Sequence, residues 1–283
     1  MAHVGRLSGK IAAVSAGHDY TSPDLARSAL VLIDVQNDFV SGPSQVDGTG
    51  ERVPAMARLL AAFRAAHRPI VHIVRLYVPG GSDADPPRRA AIESGKQIAA
   101  PHTDGAAVPG ELLAHPLDYD SLLAGGVQHV AAGEVVMFKP RWSAFYRTEL
   151  EEHLHDLAVN TVVVAGCNLP NCPRATLFDA SERDFRAALV TDATSQVTPE
   201  RLADLALIDS SRSSQGAGMD PVAVSVVLEL WGDLERAVGA EQLEVVALQA
   251  VTMRRLVTEP RSRPPGAIPA YVPPTERLGS AGH

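Results

Sequence analysis

Five short apolar runs constrain the fold of this chain most strongly, because each has the length of a strand and is too short to span a membrane. The first, ALVLIDVQNDF at 29–39, stops being apolar at Asp34. The others are PIVHIVRLY (69–77), EVVMF (134–138), TVVVAG (161–166) and AALVT (187–191). Nearly continuous apolar runs are typical of strands buried on both faces of a parallel sheet. The sequence therefore predicts such a sheet.

Helical patterns separate these strands. Apolar residues at helical spacing predict helices at 51–66, 147–157, 174–184 and 198–208. Because strand, helix and strand alternate, the predicted fold class is α/β. The remaining segment, 78–133, is rich in Gly, Pro, Asp and Ala and has only a weaker helical pattern at 87–99. We expect a segment of this length to cover a functional site.

Composition and charge exclude several classes of protein. Of the 283 residues, 46% are hydrophobic and 20% are charged, as is usual for a globular protein. A formal net charge of −8 argues against nucleic acid as a partner. No apolar stretch reaches the roughly 18 residues of a membrane span, so we expect a soluble cytoplasmic protein without a membrane partner. Two cysteines cannot supply a disulfide framework.

The segment VVAGCNLPNCPRATLFDASERDF (163–185) contains both cysteines, Cys167 and Cys172. They would supply two of the four ligands of a structural zinc, with no histidine near them, so we expect no metal site. Cys172 precedes Pro173, which suits the start of a helix. A cysteine there feels the positive end of the helix dipole, which lowers the thiol pKa and predicts a nucleophile. Cys167 is expected to be a small core residue.

A thiol nucleophile needs a group that accepts its proton. Asp34 and Lys139 follow two other predicted strands, and the carboxyl ends of parallel strands lie along one edge of a sheet. We therefore expect Asp34, Lys139 and Cys172 to converge. Taken singly, Asp34 could be a turn residue, Lys139 a solvated charge and Cys172 an inert thiol.

At these residues the chain resembles the isochorismatase-like cysteine hydrolases, a family that includes nicotinamidases, N-carbamoylsarcosine and ureidoacrylate amidohydrolases and biuret hydrolase. The resemblance rests on LVLIDVQNDF, FKPRWSAFYRTELEEHL, VVVAGCNLPNCPRATLFDASERDF and VTDATS. It covers roughly 28–208. The domains are accordingly predicted as an N-terminal extension at 1–27, a hydrolase domain at 28–208 and a C-terminal extension at 209–283.

The resemblance implies a three-layer α/β/α fold with a central six-stranded parallel sheet, and no cofactor. It implies that Cys172 attacks an amide or ureido carbonyl, that Asp34 takes the thiol proton and returns it to the leaving amine, and that Lys139 holds the carboxylate. It also implies a cis peptide between Cys167 and Asn168. The N–H groups of Asn168 and Cys172 would then form the oxyanion hole.

Parts of the chain depart from the resembled family. Nicotinamidases bind a metal through an Asp and several His after the first strand, whereas VSGPSQVDGTGERV contains Asp47 and no His. A metal-dependent nicotinamidase is therefore disfavoured. True isochorismatases cleave a vinyl ether and have no cysteine at the nucleophile position, so Cys172 favours hydrolysis of a C–N bond. The loop CNLPNCP is more polar than usual, and Asn168 could hydrogen-bond the substrate.

Aromatic side chains beside the motifs are candidates for the substrate pocket, because aromatic walls suit a small flat amide. They are Phe39, Tyr77, Trp142 and Phe145, with ordinary core packing as the alternative for each. Arg75 and Arg141 are candidates for pairing with a substrate carboxylate, with a solvated surface position as the alternative.

Three functions stay open on the sequence alone. The first is a cofactor-free cysteine amidohydrolase acting on a small molecule. The second is a catalytically idle family member that binds a ligand or partner through its C-terminal extension, and the third is hydrolysis of an ether as in isochorismatase. Two apolar helical patterns at 221–257 precede a proline-rich end. Since the hydrolase core is complete near residue 208, we expect these helices to pack on the domain or on another subunit of a homo-oligomer.

Overall fold

The computed structural model of the chain describes residues 23–81 and 83–210, together with Val226–Val227. Its strands are β1 (Ser28–Ile33), β2 (Ile70–Val74), β3 (Gln128–Ala131), β4 (Glu134–Phe138), β5 (Thr161–Gly166), β6 (Arg186–Thr194) and β7 (Val226–Val227). They form one sheet in the order β3-β4-β2-β1-β5-β6-β7. All neighbours are parallel except β3, which runs antiparallel to β4. The predicted α/β fold with six parallel strands is confirmed, and β3 adds an antiparallel edge.

Helices cover both faces of this sheet. They are α1 (Asn37–Val40), α2 (Thr49–Ala65), α3 (Pro86–Glu93), α4 (Tyr119–Leu123), α5 (Leu150–Asp156), α6 (Cys172–Ser181) and α7 (Pro199–Ser210). Alternate residues of β1 face opposite layers. Leu30 and Leu32 share a core cluster with α2, whereas Val31 and Ile33 share one with residues of α5, α6 and α7. The three layers follow from this alternation.

The order of strands reverses beside β1. The chain passes from β1 to β2 and on to β4 on one side, and then returns to β5 and β6 on the other side. In an open parallel sheet, such a reversal leaves a crevice outside the carboxyl ends of the strands, where ligands bind. The crevice here lies between the ends of β1 and β5.

Several elements differ from the sequence-based expectation. The helical pattern at 87–99 yields only α3, because Gly95 adopts a φ of 92° that ends a helix. The segment 78–133 also contains α4 and β3, which are too short to produce a clear periodicity. Val226–Val227 is a strand where a helical pattern was expected. The rest of 221–257, the proline-rich end and residues 1–22 lie outside the described residues, so the division into three domains stays a prediction.

Within the ranges given above, no helix is long and apolar enough to cross a membrane.

A buried polar network joins α2 to the sheet at the end opposite the crevice. Glu134, at the start of β4, accepts from Arg64 of α2 at 2.7 and 2.9 Å and lies 2.7 Å from Nε2 of His72 on β2. Arg64 also donates to the Leu112 carbonyl at 2.8 Å. Burial raises the pKa of Glu134, but the hydrogen bonds from Arg64 and His72 outweigh it and lower that pKa to about 2.

Replacing the charge in this network should destabilise the fold. We expect Glu134→Gln to lower the free energy of unfolding at neutral pH by about 1–3 kcal/mol, because Arg64 loses a buried charged acceptor. Since the folded-state pKa is depressed, the difference between wild type and variant should shrink as pH falls from 4.5 toward about 2. Urea unfolding measures both effects. Glu93→Gln, at an exposed position of α3, serves as the control, and equal losses in the two variants would contradict the prediction.

Candidate active site

Asp34 and Lys139 form a buried ion pair at the carboxyl end of the sheet. Asp34 directly follows β1 and its N–H donates to the Ile73 carbonyl at 2.8 Å, while the N–H of Lys139, directly after β4, donates to the Val74 carbonyl at 3.0 Å. Both backbone positions are thus fixed against β2, the strand between them. Nζ of Lys139 lies 2.7 Å from Oδ2 of Asp34.

The Lys139 ammonium uses all three of its donors. It donates to Oδ2 of Asp34, to the Arg141 carbonyl at 3.1 Å and to Sγ of Cys172 at 3.4 Å, and only 1% of the residue is exposed. Burial opposes the charge, but Asp34 and Cys172 outweigh it, so the pKa of Lys139 is raised. Lys139 is therefore held as a cation in contact with both other side chains.

Cys172 is the first residue of α6, followed by Pro173. Burial raises the pKa of its thiol, and the nearby Asp34 carboxylate raises it further, while Lys139 lowers it by less. The expectation of a lowered pKa from the helix dipole is therefore wrong. Burial first, and then the Asp34 carboxylate, raise the thiol pKa, so the resting state is the neutral thiol next to a carboxylate and an ammonium.

A tight loop connects β5 to Cys172. Gly166 ends the strand with a φ of 120°, and a Cβ there would lie 2.2 Å from the Ile33 carbonyl oxygen, so only glycine fits. The peptide between Cys167 and Asn168 is cis, as the family resemblance implied. Leu169 N–H donates to the Ser195 carbonyl at 3.0 Å, which joins the loop to the end of β6.

Hydrogen bonds within the protein hold the Asn168 side chain. Its Nδ2 donates to Oε1 of Gln196 at 2.7 Å, and its Oδ1 accepts from Nδ2 of Asn171 at 3.1 Å. The side chain is therefore already engaged within the protein. Within 23–81 and 83–210, the N–H groups of Asn168 and Cys172 donate to no backbone carbonyl.

A small pocket opens onto these groups. Its lining comprises Asp34, Phe39, Val46, Arg75, Tyr77, Arg88, Lys139, Arg141, Trp142, Cys167, Asn168, Asn171 and Cys172. The pocket therefore brings together all three residues expected to carry the chemistry. Cys167 is buried, as expected, but it also lines the pocket; burial raises the pKa of its thiol to about 11.

Three of the four aromatic candidates line this pocket. Phe39 and Tyr77 are buried, whereas Trp142 is 46% exposed. Phe145 does not line it, which corrects the expectation for that residue. Its ring stacks on Phe185 with centroids 5.8 Å apart in the core cluster beside α5 and α6. Both Trp142 and Phe145 lie beside the Lys139 motif in the sequence, and that position alone did not show which of them faces the pocket and which packs in the core.

The arginines of the pocket differ in their partners. Arg75 lies over the Tyr77 ring at 4.0 Å and contacts Asp85 at 3.3 Å, and Arg141 contacts Asp83 at 3.2 Å. These two were the candidates for a substrate carboxylate, and both already have one inside the protein. Arg88, which the sequence pattern did not single out, also lines the pocket.

A metal centre needs several histidine, cysteine or carboxylate side chains close together. Among the described residues, these side chains form no group of three or more that could hold an ion. The Asp and His set that the resemblance associates with metal-dependent nicotinamidases thus has no counterpart in 23–81 and 83–210.

The pKa of Cys172 provides a direct test of the site. Asp34→Asn should lower the midpoint of the pH dependence of Cys172 alkylation by iodoacetamide, because it removes the anion that raises the thiol pKa and leaves Lys139 in place. Labelling at Cys172 is followed by mass spectrometry. Asp83→Asn, which removes an exposed carboxylate paired with Arg141, is the control. An unchanged midpoint in Asp34→Asn would show that the carboxylate does not act on this thiol.

Comparison with curated proteins identifies relatives with amidohydrolase names. Ureidoacrylate amidohydrolase RutB from Methylobacterium radiotolerans is 32% identical over 199 residues, which cover 65% of this chain and 73% of that protein. A protein described as a probable inactive nicotinamidase from Arabidopsis thaliana is 32% identical over 176 residues, covering 61% of this chain and 83% of that protein.

Solved structures and a family model agree with these relatives. An isochorismatase family protein from Desulfovibrio vulgaris is 35% identical with a TM-score of 0.55, covering 66% of this chain and 90% of that one. N-carbamoylsarcosine amidase from Thermoplasma acidophilum is 25% identical with a TM-score of 0.52, covering 64% and 92%. The family model described as the Isochorismatase domain matches residues 28–213. The chain therefore belongs to the isochorismatase family of hydrolases, among relatives that include amidohydrolases.

Proposed function

We propose that this family hydrolase cleaves a C–N bond of a small amide or ureido compound through a thioester on Cys172. The observation that carries the proposal is the contact set of Lys139, whose Nζ lies 2.7 Å from Asp34 and 3.4 Å from the Cys172 sulfur in one pocket. A nucleophile, a proton acceptor and a fixed cation are the groups that acyl transfer requires.

The first step is attack by sulfur. Oδ2 of Asp34 is held by Lys139, whereas Oδ1 is buried and has no hydrogen-bond partner among the described residues. We assign Oδ1 as the acceptor of the thiol proton as sulfur bonds to the substrate carbonyl. Because the pKa of Cys172 is raised, the thiolate forms only as the proton moves to Asp34. Lys139 stabilises the negative charge on sulfur during this transfer.

Attack converts the carbonyl oxygen into an oxyanion, which needs donors already in place. The backbone N–H groups of Asn168 and Cys172 are assigned this role. Neither donates to a backbone carbonyl within the described ranges, and both residues line the pocket. The Asn168 side chain, which is bound to Gln196 and Asn171, keeps this part of the loop in position.

Collapse of the intermediate completes the first half of the reaction. The C–N bond breaks, the leaving nitrogen takes the proton from Asp34, and the acyl group stays on Cys172 as a thioester. Water then attacks the thioester and gives its proton to Asp34, and the Cys172 sulfur leaves and regains a proton. One carboxylate therefore serves as base and acid in both halves.

The names of the relatives support the choice of bond. Ureidoacrylate amidohydrolase and N-carbamoylsarcosine amidase are enzymes named for C–N hydrolysis, and they match 65% and 64% of this chain. The Arabidopsis relative described as probably inactive keeps a binding role open as an outcome of the test. The cytoplasmic location and the homo-oligomeric state expected from the sequence stay predictions.

Release of ammonia from primary amides, ureido acids and biuret tests the proposal. Cys172→Ala should abolish turnover, and Asp34→Asn should lower kcat by about 100- to 10,000-fold, the range of general acid–base catalysis. An acyl adduct on Cys172, detected by mass spectrometry after rapid quenching, would identify the thioester. Cys167→Ser, which alters the other thiol of the pocket, should keep measurable turnover.

Three results would overturn the proposal in different ways. Full ammonia release by Cys172→Ala would show that the reaction needs no thiol and would rule out the thioester. Hydrolysis of a vinyl ether by both wild type and Cys172→Ala, with no ammonia released from any amide, would favour the isochorismatase type of reaction. Absence of turnover together with a Cys172 that iodoacetamide does not label would favour a binding role.

A further inference from the structure

The pocket is lined by more cations than anions. Arg75, Arg88, Lys139 and Arg141 contribute to its wall, whereas Asp34 is the carboxylate among its lining residues. A surplus of positive charge in a partly desolvated pocket attracts a negatively charged ligand. A cation can bind this ligand readily only if side chains of the protein do not already occupy its hydrogen-bond donors.

Three of these cations are already matched by carboxylates of the protein. Lys139 lies 2.7 Å from Asp34, and its remaining donors contact Arg141 and Cys172. The guanidinium of Arg75 contacts Asp85 at 3.3 Å and is further engaged by backbone carbonyls. A substrate anion would have to displace these internal partners.

Arg141 is matched in the same way. Its guanidinium contacts Oδ1 of Asp83 at 3.2 and 3.3 Å, and it donates to the carbonyls of Asp83 and Pro140 at 2.9 and 2.7 Å. Because four contacts occupy it, Arg141 is poorly placed to bind a substrate group.

Arg88 differs from the other three. It is half-buried, and its guanidinium has no hydrogen-bond or ion-pair partner among the residues the structure describes. Its backbone is nevertheless well anchored, because its N–H donates to the Asp85 carbonyl at 2.9 Å. The Asp85 carboxylate in turn accepts from the Tyr77 hydroxyl at 2.8 Å and contacts Arg75. Arg88 is therefore a positioned but unpaired cation at the pocket wall.

We propose that Arg88 binds a carboxylate of the substrate, so that the preferred substrates are amides or ureido compounds bearing a carboxylate apart from the scissile carbonyl. This inference rests on the proposed function, since it places the scissile carbonyl at Cys172. A guanidinium binds a carboxylate through two parallel hydrogen bonds, which fixes orientation as well as charge. Arg88 and Cys172 line the same pocket.

Matched pairs of substrates test the assignment. Succinamate and succinamide differ in one carboxylate, as do N-carbamoylglycine and its amide, and each pair is assayed for ammonia release. Wild type should prefer the acid, and Arg88→Gln should reduce the ratio of kcat/KM for acid over neutral compound by about tenfold, chiefly through KM, as expected for loss of a charge-assisted hydrogen bond.

Arg89→Gln is the matched control, because it removes the same charge from the next residue of α3. Arg89 is exposed and donates to the Ala84 carbonyl, and it does not line the pocket. Its ratio of acid to neutral kcat/KM should equal that of wild type. No preference for the acid in wild type, or equal losses in the Arg88 and Arg89 variants, would overturn the inference.

Alkylation separates failure of this inference from failure of the proposed function. Iodoacetate and iodoacetamide carry the same reactive carbon and differ in charge, and labelling at Cys172 needs no turnover. The rate of labelling by iodoacetate divided by the rate of labelling by iodoacetamide should fall in Arg88→Gln and not in Arg89→Gln. If no amide is hydrolysed but the ratio falls in this way, the anion site stands and the proposed reaction is wrong. Equal ratios in all three proteins would remove the anion site.

Discussion

The contact between Lys139 and Asp34 is the interaction on which the rest of the site depends. Both side chains are almost fully buried and lie 2.7 Å apart, on residues that follow β4 and β1. Two charges that have left water need each other, and removing one partner of a buried pair costs about 3–5 kcal/mol. Because β2 separates the two strands, the pair forms only when all three strands have their correct order and register. The chemistry of the site is therefore coupled to correct assembly of the sheet.

The same pair sets the resting state of the nucleophile. Lys139 alone would stabilise a thiolate at Cys172, but the Asp34 carboxylate and burial together outweigh it and keep the thiol protonated. A protonated thiol reacts slowly with adventitious electrophiles. In the proposed reaction, a substrate that fills the pocket brings its carbonyl to sulfur while Asp34 takes the proton. Under this proposal, the reactivity of Cys172 depends on occupancy of the pocket by the substrate.

The sequence predicted Cys172 from its place before Pro173 at the start of a helix. It predicted the residues of the ion pair for a different physical reason. Apolar strands of a parallel sheet end along one edge, so a polar residue directly after each strand must lie there. The order of the strands, and hence the crevice between β1 and β5, is not encoded in local pattern. Nor is the sign of the Cys172 pKa shift, which depends on a carboxylate 138 positions earlier in the chain. Long-range contacts decide both.

Side chains outside regular elements were less predictable. Trp142 and Phe145 lie in the same turn, three positions apart, yet one lines the pocket and the other packs in the core. An irregular segment has no repeating period, so the spacing of its residues in the sequence does not predict which way each side chain points. Arg88 lies in the segment 78–133, where a helical pattern was visible, but its role depends on which neighbouring charges are already paired. The structure shows that Asp83 pairs with Arg141 and that Asp85 pairs with Arg75, which leaves Arg88 as the candidate for a ligand.

The residues directly after β1 attach the segment 78–133, which the sequence predicts to cover the site, to the sheet. Gln36 is fully buried and donates to the carbonyls of Arg75 and Ala106, at 2.9 and 2.8 Å, while Asp38 accepts from the Ala99 N–H. Asp34, Gln36 and Asp38 are spaced two residues apart. One short stretch therefore supplies the proposed base and two anchors for the segment 78–133. Replacing the half-buried Arg88 side chain therefore removes neither of these anchors. The residues directly after β1 thus hold the segment that carries Arg88 next to the strand that precedes Asp34.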